Sequence, residues 1–592
     1  MLDSKFISQN DTPTKQWKTV WIQNKGLILT LFLALTPLMG VRLVRFTGDE
    51  KVYLAQSLEM AQHGQWFVQS LAGQPNYYKG PLHYLLVRLG LMIFGQNLWA
   101  ALYMNLLFSL IGAVALASWV REVFPKQRDW PFWAGCFFAL NVGIYGHFFT
   151  SQMELELAGL FSLAFFALWR GNDLLFWLVA GFAGWSKSPL HSVLLGLSAL
   201  SFWMVEGTLF SRIKSGRSWK HLSLGVLFCA AGYAPALILD TQNFIQHYYL
   251  RETLKGSNGS RWWSSLVPMV SYYLVPWMSM ALVSPLEFLK GWKGGRRSWR
   301  DLSFSEKRAW KLVGSTLIPT HLFFIFYHYR LENYALPTVA SSIFLILLLI
   351  EKNDQKVIWI RKWILAIGSW VGLLIAFCFF KMGHQFQLPD ALWPVGFLPA
   401  LWGLALFCGG VHLKEFFSKQ AEGLGVWSTL GQVSLVSMLG LIFGVLGEMD
   451  LYPVRKQISE DLAHQGVPLK VSYLDIRDTI WNEWGLLSFS LGYPIVPLHQ
   501  ESQLQQAIEE GHLILARNQK QKDQILEFAA VSTPQYQPQF YPWKRFRVLH
   551  LDAKGIALLK QAWEQKDFWQ LTEDGVMVRF FSRIQAGDPQ NE

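Results

Sequence analysis

The stretch that decides the fold is "GLILTLFLALTPLMGVRLVRFTGDE" (Gly26–Glu50), an apolar run that ends in two adjacent acids. A run of this length can cross a bilayer, and charge at its mouth marks either a function or the boundary between lipid and water. Of the 592 residues, 52% are hydrophobic and only 16% are charged, and the mean hydropathy is +0.22. A chain of this composition cannot bury all of its apolar surface in the core of a water-soluble protein. The sequence therefore predicts an α-helical polytopic membrane protein.

Charge and cysteine content exclude two other classes of protein. The net charge of +11 comes from basic residues in short loops between apolar runs, which is typical of cytoplasmic loops rather than of nucleic-acid binding. The cysteines lie in apolar segments without CxxC spacing, so we expect neither disulfides nor a metal site. The first apolar run is too long for a cleavable signal peptide and is expected to remain as a membrane anchor. The cysteines are Cys136, Cys229, Cys378 and Cys408.

Apolar runs of sufficient length predict about 13 transmembrane spans. "PLHYLLVRLGLMIFG" (Pro81–Gly95) is short and carries His83 and Arg88, so we interpret it as a helix along the membrane surface. With a cytoplasmic N-terminus, this choice puts the basic clusters inside, the densest of them between Lys290 and Lys311. The predicted spans are 26–45, 98–119, 132–149, 157–170, 174–187, 190–205, 222–239, 267–284, 312–327, 335–350, 363–380, 393–411 and 426–447.

The pattern changes after the last span, which predicts a transmembrane domain over 1–448 and a small soluble α/β domain over 449–592 on the outer side. Short β-rich runs such as "KVSYLDI" (470–476) and "VMVRFFS" (576–582) alternate with helical runs such as "ESQLQQAIEEG" (501–511). The segment "STPQYQPQFYPW" (532–543) is punctuated by proline and is predicted to be a loop.

This topology brings the unusual charged residues to one side of the membrane. Acids and bases from separate outer turns could then converge on one cavity. A carboxylate there can take a hydroxyl proton as general base, while Lys and Arg neutralise a phosphate leaving group. The residues are Asp49, Glu50, Lys79, Glu154, Glu156, Lys187, Arg261, Arg330 and, among the aromatic ones, Tyr334.

Each of these residues also has an ordinary structural interpretation. Asp49 could cap the helix that follows it, since Asp is favoured at that position. The acids of the second outer loop could be boundary charges, and Lys187 could extend its ammonium to the interface. Arg330 and Glu332 could form an exposed ion pair of little energetic value. The functional interpretation rests on their joint placement on one side.

The order of motifs resembles a known family. The chain resembles the bacterial polyprenyl-phosphate-dependent glycosyltransferases of the GT-C class, in particular the aminoarabinose transferases that modify lipid A and the related protein O-mannosyltransferase-like enzymes. The likeness covers Gly26–Ile350 well and the remainder only in layout. The motifs are "GDE" (48–50), "YYKGPLHYLL" (77–86), "SKSPLHSVL" (186–194), "YYLVPW" (272–277) and "YRLENYALP" (329–337).

The resemblance implies roles for the acids. Asp49 matches the catalytic carboxylate that opens the first outer loop of the family, and Glu50 is its companion. The second-loop acid is Glu156 or Glu154, of which the spacing to the following aromatic residues favours Glu156.

The resemblance also implies roles for the bases. Lys79 matches a lysine that holds the donor phosphate, in a "K-P-P-L" element where Gly80 replaces a common proline. Lys187 matches a "T-K-G" element, here flanked by Ser186 and Ser188. Tyr53, Tyr78 and Tyr334 are predicted to line the substrate pocket.

The implied reaction is inverting transfer of a sugar from an undecaprenyl-phosphate donor. Asp49 would activate the acceptor oxygen, and Lys79, with Arg261 or Arg330, would stabilise the departing phosphate. The acceptor would be lipid A, another envelope glycan or a protein hydroxyl, and nucleic acid is not a partner. No cofactor is required, and a divalent metal is compatible but not implied. The implied location is the bacterial inner membrane, with the site on the periplasmic side.

Two rival functions remain open. A transporter or flippase of a lipid-linked or anionic solute should show paired half-sequences or polar residues at mid-membrane, whereas no repeat is apparent and the acids lie at the outer ends. A catalytically inactive relative that only binds lipid-linked sugars is disfavoured by the intact Asp49.

Overall fold

The computed structural model describes most of the chain between residues 50 and 351 and parts of the C-terminal region. Asp49, Tyr78, Arg261 and Arg330 lie outside the described residues, as do the predicted domain boundary at 448/449 and the predicted spans 26–45, 267–284, 363–380, 393–411 and 426–447. The described residues are 50–71, 74–77, 79–95, 98–127, 130–139, 141, 144, 147, 151–246, 248, 302–326, 332–351, 471–474, 495–498, 500–516, 519–546 and 572–582.

The part between Glu50 and Glu351 is built mainly from helices, with one two-stranded hairpin of β1 (Ser70–Leu71) and β2 (Gln74–Pro75). The helices are α1 (Glu50–Gln62), α2 (Pro81–Phe94), α3 (Leu98–Val123), α4 (Trp130–Ala139), α5 (Glu154–Trp169), α6 (Asp173–Ser186), α7 (Leu190–Glu206), α8 (Leu209–Lys214), α9 (Gly216–Leu239), α10 (Thr241–Phe244), α11 (Phe304–Phe326), the 3-10 helix η1 (Glu332–Thr338) and α12 (Val339–Glu351).

Helix α3 lies at the centre of this bundle and packs against α2, α4 and α5. Its contact with α5 is close, because a Cβ on Gly159 would lie 2.4 Å from the carbonyl oxygen of Phe108. Small residues allow helix backbones to approach in this way, as they do between membrane helices. Further along, the Trp119 ring stacks on Phe344 of α12 with 4.0 Å between ring centroids. The contacts place α3 and α5 in the main buried core.

Two helices in the described part are long and apolar enough to cross a membrane: Trp99–Val123 and Gly216–Leu239. On the second of these, within α9, large apolar side chains such as Val226, Leu227 and Ile238 are exposed, as a helix facing lipid requires. Predicted spans also coincide with α5, α6, α7, α11 and α12. The total of about 13 spans remains a prediction.

The ends of the helices opposite Glu154 are joined by ion pairs between neighbouring elements. Arg308 of α11 binds Glu206 of α7, with 2.6 Å between Nε and Oε1. Arg212 of α8 binds Asp173 at the start of α6. These charges belong to loops that the sequence predicts to be cytoplasmic, and each pair joins two helices that are not consecutive in the chain.

The C-terminal region contains a five-stranded mixed sheet with the order β4-β3-β5-β7-β6. Strand β3 runs parallel to β4 and β5, whereas β7 is antiparallel to β5 and β6. The predicted strands at 470–476 and 576–582 and the predicted helix at 501–511 are confirmed. The elements are β3 (Val471–Leu474), β4 (Ile495–Leu498), α13 (Glu501–Glu509), β5 (Leu513–Ala516), α14 (Gln519–Ser532), β6 (Tyr536–Phe546) and β7 (Thr572–Ser582).

The loop predicted over 532–543 is wrong, because most of it belongs to strand β6. This strand pairs with β7 from Tyr536 opposite Ser582 to Phe546 opposite Thr572. Pro538 and Pro542 are compatible with a strand because β6 is the last in the sheet order, and an edge strand tolerates the loss of N–H groups on its outer side.

Candidate functional site

The candidate site lies where the ends of several helices meet. Helix α5 begins at Glu154, α6 ends at Ser186, and α7 begins three residues after Lys187. Acidic side chains in the first turn of α5 are favoured by the partial positive charge of a helix N-terminus. The short turn between α6 and α7 holds Lys187 against that end of α5. The sequence thus forms a charged cluster from three helix termini.

The two predicted phosphate-binding lysines are joined through the backbone. The N–H of Gly80 donates to the carbonyl oxygen of Lys187 at 3.1 Å. This bond places the turn before α2, with Lys79, beside the turn after α6. The carbonyl oxygen of Lys79 also accepts a hydrogen bond from the Gln69 amide at 3.2 Å, which secures the same turn from the other side.

The surrounding backbone explains why residue 80 is glycine. A Cβ at this position would lie 2.3 Å from the carbonyl oxygen of Trp185, a backbone atom that cannot rotate away. Proline would bring that carbon and would also remove the N–H that binds Lys187. The chain therefore carries glycine where the family element commonly has proline because its α2 and α6 approach too closely for a side chain.

Lys187 forms a mostly buried ion pair with Glu154. Its Nζ lies 2.5 Å from Oε1 of Glu154, and the two side chains are only 12% and 6% exposed. The same ammonium lies 4.4 Å from the centre of the Tyr334 ring, a cation–π contact. Burial opposes ionisation of Glu154, but the charges of Lys187 and His147 and the hydrogen bonds to the carboxylate together hold the pKa of Glu154 below its usual value.

Glu156 lies deeper and is bound on both oxygens. His83 Nδ1 is 2.6 Å from Oε1, and Ser186 Oγ donates to Oε2 at 2.7 Å. Neither the His83 nor the Glu156 side chain is exposed. The other ring nitrogen of His83 is 3.2 Å from Ser151 Oγ. Glu156 is therefore part of a buried hydrogen-bonded network that links α2, α5 and α6.

Tyr53 supports this network from α1. Its ring packs edge-on against His83, with 5.4 Å between centroids, and against Tyr84 at 5.9 Å. Tyr53 is 5% exposed. Its contacts place it beneath His83, in the packing that holds the network.

The structure brings Glu154 and Tyr334 to the Lys187 ammonium and places the turn that carries Lys79 beside the Lys187 turn, while Glu156 lies in the adjoining buried network. Glu50 is the first residue of α1. Among the described residues, no group of three or more His, Cys, Asp or Glu side chains could hold a metal ion. The cofactor requirement therefore stays a prediction.

Sequence reasoning missed His83 and Ser186 as members of the site. His83 was used only to argue that the run after Pro81 lies at the membrane surface. Its signal was present: a histidine in an apolar helix, two residues after the conspicuous "KGP" turn, needs a polar partner when it is buried. Ser186 was noted only as a neighbour of Lys187, yet its hydroxyl binds Glu156.

Comparison with known proteins finds a sequence relative and related solved structures. No protein-family model matches the chain. The undecaprenyl phosphate-alpha-4-amino-4-deoxy-L-arabinose arabinosyl transferase 2 of Pseudomonas fluorescens is 22% identical over 315 residues, which cover 49% of this chain and 52% of the relative. The chain thus matches about half the length of this curated relative.

The solved structures extend the likeness to nearly the whole chain. The crystal structure of ArnT from Cupriavidus metallidurans bound to undecaprenyl phosphate has a TM-score of 0.59 and 17% identity, covering 95% of this chain and 98% of that one. The apo form of the same protein has a TM-score of 0.60 and 16% identity, covering 96% and 98%. The chain therefore has the fold of ArnT, and its predicted resemblance to the GT-C glycosyltransferases is confirmed.

Proposed function

We propose that this protein is an integral membrane glycosyltransferase that uses a sugar linked to undecaprenyl phosphate or a similar polyprenyl phosphate. The observation that carries the proposal is the hydrogen bond between Gly80 and Lys187, which gathers two cationic segments beside Glu154. The ArnT fold supports the same function, since one structure with that fold is bound to undecaprenyl phosphate.

The lysines would hold the phosphate of the donor. An ammonium group carries three N–H donors, so Lys187 can keep Glu154 and also bind a phosphate oxygen. Lys79 would add a second positive charge from the adjoining turn. Charges that are fixed before the reaction stabilise a leaving phosphate more strongly than mobile charges in water. Arg261 and Arg330 are further candidates for this role.

Asp49 would act as the general base. It would take the proton of the acceptor hydroxyl while that oxygen attacks the anomeric carbon from the face opposite the phosphate. The bond between that carbon and the phosphate oxygen would break, and its electron pair would leave with the polyprenyl phosphate. The configuration at the anomeric carbon would invert, and no covalent enzyme intermediate would form.

The acceptor would be lipid A, another envelope glycan or a protein hydroxyl. The protein would reside in the bacterial inner membrane, with the site and the C-terminal region on the periplasmic side. This arrangement would let a lipid-borne donor enter from the bilayer and a polar acceptor approach from water.

Mass spectrometry of lipid A and other envelope glycolipids tests the proposal. Four strains would be compared: a deletion strain, and the same strain complemented with the wild-type gene, with Asp49→Asn or with Asp523→Asn. Asp523→Asn is the matched change at an exposed residue of α14. We expect a sugar-sized mass with the wild-type gene and with Asp523→Asn, and its loss by 10²-fold or more with Asp49→Asn.

Binding of the donor distinguishes the rivals. An Asp49→Asn enzyme should still bind undecaprenyl phosphate while losing product. Equal products in all four strains with normal expression, for glycolipids and then for secreted proteins, would contradict the proposal and favour a transporter.

A further inference from the structure

A polar cavity lies at the end of the bundle opposite the candidate site. It encloses about 750 Å³ between the α5–α6 turn, the α7–α8 turn and the start of α9. Its lining includes three guanidinium groups, those of Arg170, Arg212 and Arg217, but only one carboxylate, that of Asp173. The cavity is therefore positively charged and suits an anion.

Two of the arginines already have acidic partners. Arg212 binds Asp173 and lies 4.8 Å from the centre of the Trp203 ring. Arg170 is 3.2 Å from Glu122. Arg217, by contrast, forms no ion pair with any residue that the structure describes. A guanidinium group without an acidic partner, beside two that have one, suits the recognition of phosphate.

Two residues of the lining also carry buried polar atoms that lack partners. Thr208 Oγ1 and His221 Nδ1 are both buried, and neither has a hydrogen-bond partner among the described residues. A buried polar atom without a partner costs about 1–3 kcal/mol, so such atoms usually bind a water or a ligand. Their position beside the arginines is an observation separate from the charge.

Exposed apolar side chains neighbour the lining residues in the chain, on α8 and at the start of α9. Phe210 and Ile213 on the short helix α8 are 77% and 48% exposed, and Trp219 at the start of α9 is 53% exposed. The indole N–H of Trp219 donates to the carbonyl oxygen of Ile213 at 2.8 Å, which links these apolar residues. Short helices with basic and apolar faces lie at the membrane interface, where Trp is also enriched.

We infer that this cavity binds the phosphate of an anionic phospholipid headgroup, with the acyl chains leaving along Phe210, Ile213 and Trp219. Basic pockets between helix ends at the charged face of a membrane protein are suited to such headgroups. The site is separate from the candidate active site, since it involves the opposite ends of α5 and α6. Its role would be to fix the helix ends at that leaflet.

The test uses the full-length protein in nanodiscs of phosphatidylcholine with a minor fraction of phosphatidylglycerol. Native mass spectrometry would count the lipids retained by wild type, Arg217→Gln and Lys220→Gln. Lys220 lies one turn further along α9, is exposed and does not line the cavity, so it controls for loss of charge alone. We expect wild type and Lys220→Gln to retain phosphatidylglycerol preferentially, and Arg217→Gln to lose that preference about fivefold or more.

A second variant and a soluble probe complete the test. Thr208→Val should also weaken retention, because it removes one of the unpartnered polar atoms. Glycerol 3-phosphate should not displace the lipid, and displacement at equal concentration would overturn the phospholipid assignment in favour of a soluble phosphate compound. Equal retention by Arg217→Gln and Lys220→Gln, or no preference in wild type, would overturn the site itself.

Discussion

His83 Nδ1 lies 2.6 Å from Glu156 Oε1, and both side chains are fully buried. Because the Ser186 hydroxyl donates to the other oxygen, both carboxylate oxygens of Glu156 are hydrogen-bonded within the protein. Glu154, two residues earlier, instead holds Lys187. The two acids that the sequence left as alternatives thus have different surroundings: Glu156 lies in a buried hydrogen-bonded network, and Glu154 is paired with Lys187, a cation of the proposed phosphate site.

Replacing His83 should show how much this network contributes to stability. His83→Ala leaves Glu156 buried without one of its donors, so we expect the free energy of unfolding to fall by about 1–3 kcal/mol. His83→Asn places an amide N–H close to the position of Nδ1 and should lose less. Thermal unfolding of the purified protein measures both variants, and equal losses would contradict a role for the Glu156 hydrogen bond.

Breaking the Glu154–Lys187 ion pair should be costly from either side. Lys187→Met leaves a buried carboxylate and Glu154→Gln leaves a buried ammonium, each of which we expect to destabilise the protein by about 3 kcal/mol. The double variant should recover part of that loss. Arg170→Gln, which removes a pair whose arginine is 57% exposed, serves as the control and should change stability by less than about 1 kcal/mol.

A strictly additive double variant in that cycle would mean that the two side chains do not interact in the folded protein.

Gly80 should tolerate no side chain. Gly80→Ala would push its Cβ against the Trp185 carbonyl, and Gly80→Pro would in addition remove the hydrogen bond to Lys187. We expect a loss of about 1–3 kcal/mol for alanine and a larger one for proline, measured by thermal unfolding. Gly314→Ala in α11, where a Cβ meets nothing within 4 Å, should instead be neutral or stabilising.

If Gly80→Ala and Gly314→Ala changed stability by the same amount, the result would contradict a close approach of the Gly80 backbone to the end of α6.

Acid should weaken the ion pair in a defined direction. The pKa of Glu154 is lowered in the folded protein, because the charges of Lys187 and His147 and the hydrogen bonds to the carboxylate together outweigh burial, which raises it. Its contribution to stability is therefore present above the usual carboxyl pKa of about 4.3 and is lost as pH falls through the lower folded pKa. The difference in the free energy of unfolding between wild type and Glu154→Gln, measured by thermal unfolding between pH 7 and pH 3, should become smaller as the pH falls. A difference independent of pH would contradict the ionised pair.

Much of the helical fold could be predicted because apolar run length sets it directly. The runs at 98–119, 174–187 and 190–205 became helices α3, α6 and α7 with small shifts at their ends. The run after Pro81 became α2. The loop predicted over 532–543 is wrong because its prolines indicate a loop, although an edge strand also accepts proline.

The site was less accessible to sequence reasoning. Outer turns could be grouped by topology, which gathered Lys79, Glu154 and Lys187. The bond between His83 and Glu156 joins residues 73 positions apart, and no periodicity encodes such a pair. Residue 80 is glycine because the backbone of Trp185 lies so close to it, and the sequence does not show this contact.

The hydrogen bond between Gly80 and Lys187 has a consequence for ligand energetics. Because the two lysines leave the backbone from one tied junction, the distance between their stems is set before any donor arrives. The entropic penalty of assembling two separate cationic loops is then carried by folding and not by binding. If the two lysines hold the donor phosphate as proposed, loosening this junction should weaken both phosphate contacts even with both lysines intact.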